Sequence, residues 1–236
     1  MPGYADLRLS PKSWTALYAS QAATHVVHSY CAGNEDDEIA LAAATAASGL
    51  TLSDVVITPT APTIRERAWA GNCVAIGSSA CALDPLFDLD LHVVQLGIVH
   101  LLSLFPTTIA ANAERSEYNR IIRSLFERLR DFQAALYLLG GTSQSAPDSL
   151  LHKVETFRAR GIIAPMEDET FSPDQWRALF VGLGLMPESW SPAIETVPPE
   201  RMKEGFRRIL GFVRTKVLEQ PAHDHYLAEI GEGRAT

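Results

Sequence analysis

The 236-residue sequence predicts an α+β chain that is mainly helical, with a small β portion over about residues 14–76 leading into a C-terminal helical lobe. Three features of the sequence predict it. Beyond Pro85, apolar residues recur at three- and four-residue steps, the spacing that gives a helix one buried face. Before Ile76 the apolar runs are short, often β-branched, and bounded by Pro or Gly, as strands are. Helix punctuation then accumulates in the second part of the chain: Gly140-Gly141, Gly161, Ser172-Pro173-Asp174-Gln175 and Pro198-Pro199.

Taken in order, residues 1–13 hold Pro2, Gly3 and Pro11 and show no periodicity, which predicts a loose lead-in. Trp14–Tyr30 is rich in Ala, Thr and Val and reads as one or two strands. Asn34-Glu35-Asp36-Asp37 starts a helix, because acidic side chains favour its positive end, and Gly49 stops it. Val55-Val56-Ile57-Thr58 reads as a strand, Pro59 and Pro62 as a turn, and Thr63–Ala70 as a second strand. Pro85 sits where a helix can begin, and Leu91–Phe105 is apolar nearly all round, which predicts a central, buried helix. Tyr118, Ile122, Leu125, Phe126, Leu129, Phe132 and Leu136 line one face of a long helix between about Glu114 and Leu139. After a polar loop at Thr142–Pro147, Asp148 or Ser149 caps a helix that runs to Gly161. Ser172–Gln175 is a capping box with Pro at the first helical position. Pro198-Pro199 opens a helix with Met202, Phe206, Ile209, Phe212, Val213 and Val217 on one face, and His223–Ile230 is a last short helix. The chain divides into 1–70, a β-rich segment with one helix; 71–110, a strand-turn-helix segment; and 111–236, the helical lobe, reading as one compact unit overall.

Composition narrows the function classes. Hydrophobic residues make up 47% and charged residues 20%, the balance of a globular protein. A net charge of −8 argues against nucleic acid, which needs a concentrated positive patch. The fifteen-residue apolar run Leu91–Phe105 contains His92, Gln95 and His100 and falls short of the ~20 residues that cross a bilayer, so no membrane is expected. Three cysteines, Cys31, Cys73 and Cys81, with no Cys-x-x-Cys, fit a reduced cytoplasmic protein. His223-Asp224-His225 has ligand-type side chains, but successive helical positions point apart, so no metal site is expected. His92 and His100 read as core or pocket histidines rather than catalytic bases, and no complete Gly-x-Ser-x-Gly elbow surrounds Ser78-Ser79.

The densest chemical signal is Gly71–Pro85. Val74-Ala75-Ile76 is a short apolar strand, Gly77-Ser78-Ser79-Ala80 a run of small residues, and Pro85 the prospective helix start. Such a turn lets a flat or anionic ligand approach main-chain N–H groups, and equally lets a strand pack tightly on a helix without one.

Asn72-Cys73-Val74-Ala75-Ile76-Gly77, Ser79-Ala80-Cys81 and Asp84-Pro85-Leu86 resemble the flavin-contacting segment of the flavin-dependent tryptophan halogenases. Tyr118-Asn119-Arg120, Phe126–Phe132, Ser149–Arg158 with Gly161, and Phe171, Trp176 and Gly182-Leu183-Gly184-Leu185 extend the resemblance over roughly residues 50–230. It implies the C-terminal part of a halogenase, an FAD-dependent monooxygenase-type oxidoreductase, with FAD against Gly77, Ser78, Ser79, Pro85 and Leu91 and an aromatic substrate near Phe171.

The sequence also departs from that family. Family members are about twice as long and open with a Gly-x-Gly-x-x-Gly turn for the FAD pyrophosphate; the glycines before Gly71 are Gly3, Gly33 and Gly49, in no such spacing. The family's catalytic lysine and Trp-x-Trp-x-Ile-Pro motif lie further upstream, with Trp14 the one residue here that resembles them. Where active members read Glu-Ser-Thr-Gly, this chain reads Phe87-Asp88-Leu89-Asp90. Phe87 cannot accept the proton or hydrogen bond of the family's glutamate, and Leu89 and Asp90 stand at the halide positions, where a carboxylate repels an anion.

The resemblance therefore implies a truncated or degenerate halogenase-like chain that is not self-sufficient, served by a separate FAD-binding partner or by a second copy of itself. The alternative is a non-catalytic helical protein that binds a small aromatic ligand or a partner chain.

Overall fold

A computed structural model describes residues 6–10, 13–20, 22–31, 33, 36–108, 112–141 and 145–232. Strands β1 (Asp6–Leu9), β2 (Ser13–Ala19) and β3 (Thr24–Tyr30) form an antiparallel meander with Leu9 opposite Trp14 and Trp14 opposite Ser29. The lead-in expected before Trp14 thus contains a strand. Leu7 and Leu9 alternate with Asp6 and Arg8, and the backbone N–H of Ser10 turns onto the Ser13 carbonyl at 2.9 Å. Helix α1 (Asp37–Ser48) is capped by the Asp36 carboxylate, which accepts the Ile39 N–H at 2.9 Å, and ends at Gly49 with φ +70°. Asn34 and Glu35, expected to begin it, lie outside the described residues. Ala40 and Ala44 are buried where α1 lies along β2 and β3.

Val55–Thr58 is irregular rather than a strand, with Val56 83% exposed, for no neighbouring strand pairs with it. Two small ribbons follow. β4 (Thr63–Ile64) pairs with β7 (Cys81–Ala82), and inside that loop β5 (Trp69–Ala70) pairs with β6 (Cys73–Val74) across Gly71-Asn72. Gly77–Ser79 is a single 3₁₀ turn between β6 and β7.

Helix α2 (Asp90–Ser103) begins five residues after Pro85, because Phe87 (φ +70°) and Asp88 (φ +51°) take left-handed backbone that no helix can include. It is not the central helix its composition predicts: Val93 and Gly97 are buried, whereas Leu91 and Leu102 are about two-thirds exposed.

Helix α3 (Asn112–Leu139) is central instead. Tyr118, Ile122, Phe126 and Leu129 join Trp69, Cys81 and Val93 in one core cluster. One turn later Phe132 and Ala135 enter a second cluster with residues of α4 (Asp148–Arg160) and α5 (Pro173–Gly182). Pro147, not Asp148 or Ser149, occupies the cap position of α4; the Ser149 hydroxyl donates to the buried Asp131 carboxylate on α3. The capping box of α5 forms as expected: Ser172 Oγ accepts the Gln175 N–H at 3.3 Å and the Gln175 side chain accepts the Ser172 N–H at 2.8 Å.

The chain ends in α6 (Pro192–Glu195), α7 (Pro199–Glu219) and α8 (His223–Glu232). It divides into two compact units, Val56–Ser189 and the pairing of Met1–Val55 with Trp190–Thr236. Among the described residues no helix is long and apolar enough to cross a membrane.

Candidate functional site

The segment singled out in the sequence lies in the unit Val56–Ser189, and α3 fixes its shape. Asn119 clamps the β5–β6 ribbon: its Oδ1 accepts the Trp69 N–H at 2.8 Å and its Nδ2 donates to the Trp69 carbonyl at 2.9 Å. The Tyr118 hydroxyl donates to the Gly97 carbonyl of α2 at 3.2 Å, and burial pushes that phenol above its ordinary pKa. Further along α3, Gln133 Nε2 donates to the carbonyls of Asp84 at 2.8 Å and Leu86 at 2.6 Å, and the Tyr137 hydroxyl donates to Asp84 Oδ2 at 2.7 Å. Asp84 Oδ1 meanwhile accepts the Leu86 N–H at 2.9 Å. Gln133 and Tyr137, four residues apart and so on one helix face, hold the turn that carries Pro85 and Phe87. Sequence reasoning missed both; the signal was two polar side chains interrupting the apolar stripe of α3 at that spacing.

Gly77 is buried with φ +65°, and a Cβ there would meet Val94 Cγ2 of α2 at 2.8 Å. Its smallness serves the packing of the turn on α2. The Ser79 hydroxyl is committed within the turn, accepting the Ile76 N–H at 3.1 Å and donating to the Ile76 carbonyl at 2.8 Å. Ser78, Ser79, Pro85, Phe87, Asp88, Asp90 and Leu91 are all exposed. A flavin laid against this strip meets main chain, small hydroxyls and the Pro85 and Leu91 side chains. The residues present fit one wall of such a site, and the strip holds no cradle for a pyrophosphate.

Where the resemblance puts the halide, Leu89 turns its side chain into the core and Asp90 opens α2. The Asp90 charge is felt nearby: burial, with Asp90 adding to it, pushes the Cys81 thiol up to about 12. That carboxylate makes the helix start unfavourable for an anion.

Phe87 belongs to an aromatic array. Its ring packs on Phe132 at 5.4 Å between centroids, and Phe132 stacks on Phe171 at 3.6 Å and 14°. Trp176 meets Phe132 edge-on at 4.9 Å. Phe171 therefore has one face covered by Phe132, with no gap for a second ring between them. Beneath Trp176, the buried Lys153 ammonium lies 3.8 Å from the ring centroid and pairs with Glu169 at 2.6 Å. Among the described residues no three His, Cys, Asp or Glu side chains gather as a metal site, and the Asp224 side chain lies outside those described. A cleft of about 320 Å³ lies between the β4–β7 ribbon with Leu83 and Arg123, Glu127 and Arg130 of α3.

Comparison with known proteins places this geometry. The tryptophan halogenase family model matches residues 14–199, beginning at the Trp14 that the sequence singled out. Tryptophan 7-halogenase RebH of Lentzea aerocolonigenes is 27% identical over 176 residues, 64% of this chain and 33% of RebH. Tryptophan 6-halogenase ThaL of Streptomyces albogriseolus is 28% identical over 157 residues, 56% of this chain and 30% of ThaL. Among solved structures, BrvH, a flavin-dependent halogenase from Brevundimonas sp. BAL3, superposes with a TM-score of 0.84 at 26% identity, covering 97% of this chain and 50% of BrvH. The chain thus spans about a third of these curated relatives and half of that solved structure.

Proposed function

The chain belongs to the tryptophan halogenase family, and from that premise we propose that it forms the flavin- and substrate-facing part of a halogenase-type protein and does not halogenate by itself. The observation that supports the reading is the set of exposed residues Ser78, Ser79, Pro85, Phe87, Asp88, Asp90 and Leu91, with the Asp84–Leu86 turn among them held by Gln133 and Tyr137 of α3. If bound, reduced FAD would activate dioxygen, the oxidant that makes a halide electrophilic. The chain's own part is to offer a backbone wall to the ring system at Ser78 and Ser79, to present Pro85 and Leu91 beside it, and to keep water from that face, while Gly77 seats the turn on α2. A small aromatic substrate is assigned to the outer face of Phe171, since the inner face is stacked on Phe132. Phe87 can hold no proton where the family has its glutamate, and Asp90 disfavours chloride at the helix start.

Two measurements test this. The purified chain is melted with and without excess FAD, where a ligand that binds only the folded state must raise the midpoint. An upward shift is expected, and an unmoved midpoint sinks the flavin wall for this chain. The chain is then incubated with FAD, a flavin reductase and NADH in aerated buffer with chloride and tryptophan, and products are read by mass. No chlorotryptophan is expected; its appearance overturns the statement that the chain alone is not competent.

A further inference from the structure

We infer that the apolar face of α7 is a docking surface for the half of a halogenase-type fold that this chain does not cover; the inference rests on the function proposed above. Met202, Phe206, Ile209, Phe212, Val213 and Val217 recur at three- and four-residue steps along the 21 residues of α7. No residue of α7 is buried, with Phe206 66%, Phe212 63% and Val217 64% exposed. A contiguous stripe of that kind marks a surface built to be covered.

The extent of the superposition argues for what covers it. BrvH matches 97% of this chain, so the unmatched 3% of 236 residues is about seven residues, a third of α7. Most of α7 is therefore part of the shared fold, and the matched region is only 50% of BrvH. A helix shared with a protein twice the size, yet bare here, points to the other half as its cover. The flanks add a charge requirement. α7 carries six basic and three acidic side chains, so the complementary surface is apolar at its centre with an acidic rim.

The experiment fuses the unmatched half of BrvH to this full chain and reads backbone hydrogen exchange in α7, beside the chain alone. Protection of α7 amides by about tenfold or more in the fusion is expected, with that protection lost in Phe206→Glu/Val213→Glu. A soluble fusion in which α7 exchanges as fast as in the lone chain overturns the inference. If the fusion is insoluble, the two polypeptides are co-expressed and the same readout taken; unprotected α7 there also overturns it. Two results on the lone chain assign the face elsewhere and overturn it as well: a dimer by light scattering with α7 already protected, or co-flotation with phosphatidylcholine–phosphatidylserine vesicles that Phe206→Glu/Val213→Glu abolishes. The melting shift of the lone chain with FAD separates this inference from the proposed function. Protected α7 in the fusion with no such shift keeps the docking face and removes the flavin wall; a shift in the lone chain with α7 unprotected in the fusion does the reverse.

Discussion

Helices α3 and α7 carry the same kind of apolar periodicity and meet opposite fates. α3 buries Tyr118, Ile122, Phe126, Leu129 and Leu136. α7 buries nothing, although Phe206, Ile209, Phe212 and Val213 are spaced as regularly. A period of three and four residues specifies that a helix has a face to cover. It does not specify the cover. α3 differs by its polar side chains: Asn119, Gln133 and Tyr137 bond specific backbone or side-chain groups of the ribbon and the Asp84–Leu86 turn. Those bonds set one register for the helix, which apolar contact alone leaves open.

The largest expected effect breaks the comparison directly. Phe126→Ala, at a site 1% exposed, is expected to cost about 3–5 kcal/mol in urea unfolding, whereas Phe212→Ala stays within about 0.5 kcal/mol of the parent. Comparable losses at the two sites would mean that α7 is covered in the isolated chain and that the contrast is false. Next in size is Gln133→Ala. Removing its amide leaves the Asp84 and Leu86 carbonyls without that donor, at a cost of about 2 kcal/mol. The accompanying readout is faster hydrogen exchange confined to residues near 84–91, and unchanged exchange there removes Gln133 as the residue that positions the strip.

The same contrast explains what was legible in the sequence. Helices announced by local chemistry were: the Ser172–Gln175 box, Gly49 and Gly161 in left-handed backbone at helix ends, and the buried stripe of α3 all appear as read. Features set by distant partners were not. Val55–Thr58 has strand residues and no strand to pair with. Leu91–Phe105 has a core composition, yet α3 rather than α2 sits at the centre, because only the contacts of Tyr118 and Ile122 decide which helix is enclosed. In the candidate site, the small turn at Gly77–Ser79 was visible, while the α3 side chains that hold the neighbouring ribbon and the Asp84–Leu86 turn lie some fifty residues away and left only a spacing in the sequence. The left-handed backbone at Phe87 carried no signal, and aspartate at Asp88 only a weak one, since it visits that region more readily than other non-glycine residues.

A smaller effect tests enclosure through pH. The Cys81 thiol is raised from about 9 to about 12, first by burial and then by Asp90. A folded-state pKa above the unfolded value means that the native state holds the proton longer. Its contribution is full below pH 9 and is lost as pH rises toward 12. Cys81→Ala is expected to lose less stability than the parent across that window, measured by urea midpoints at each pH. Parallel curves would show that the thiol is not enclosed between the β4–β7 ribbon and α2. Iodoacetamide near neutral pH gives a second reading: the exposed Cys73 is labelled in the folded chain and Cys81 only after unfolding.

The smallest effect concerns the Phe87-Asp88 turn. Phe87 and Asp88 are consecutive residues at φ +70° and +51°, each costing about 1–2 kcal/mol relative to ordinary backbone, somewhat less for aspartate. Glycine pays nothing there but adds freedom to the unfolded chain, which returns about 0.5–1 kcal/mol of the gain. Asp88 is exposed, so its side chain has little packing to lose. Asp88→Gly is therefore expected to stabilise the chain by up to about 0.5–1 kcal/mol. Phe87→Gly relieves similar strain but removes the ring that packs on Phe132 at 5.4 Å, and is expected to destabilise. Opposite signs at adjacent residues place the value of Phe87 in the aromatic array it covers. Equal gains at both would mean that the ring contributes nothing, and that the turn is held by Gln133 and Tyr137 alone.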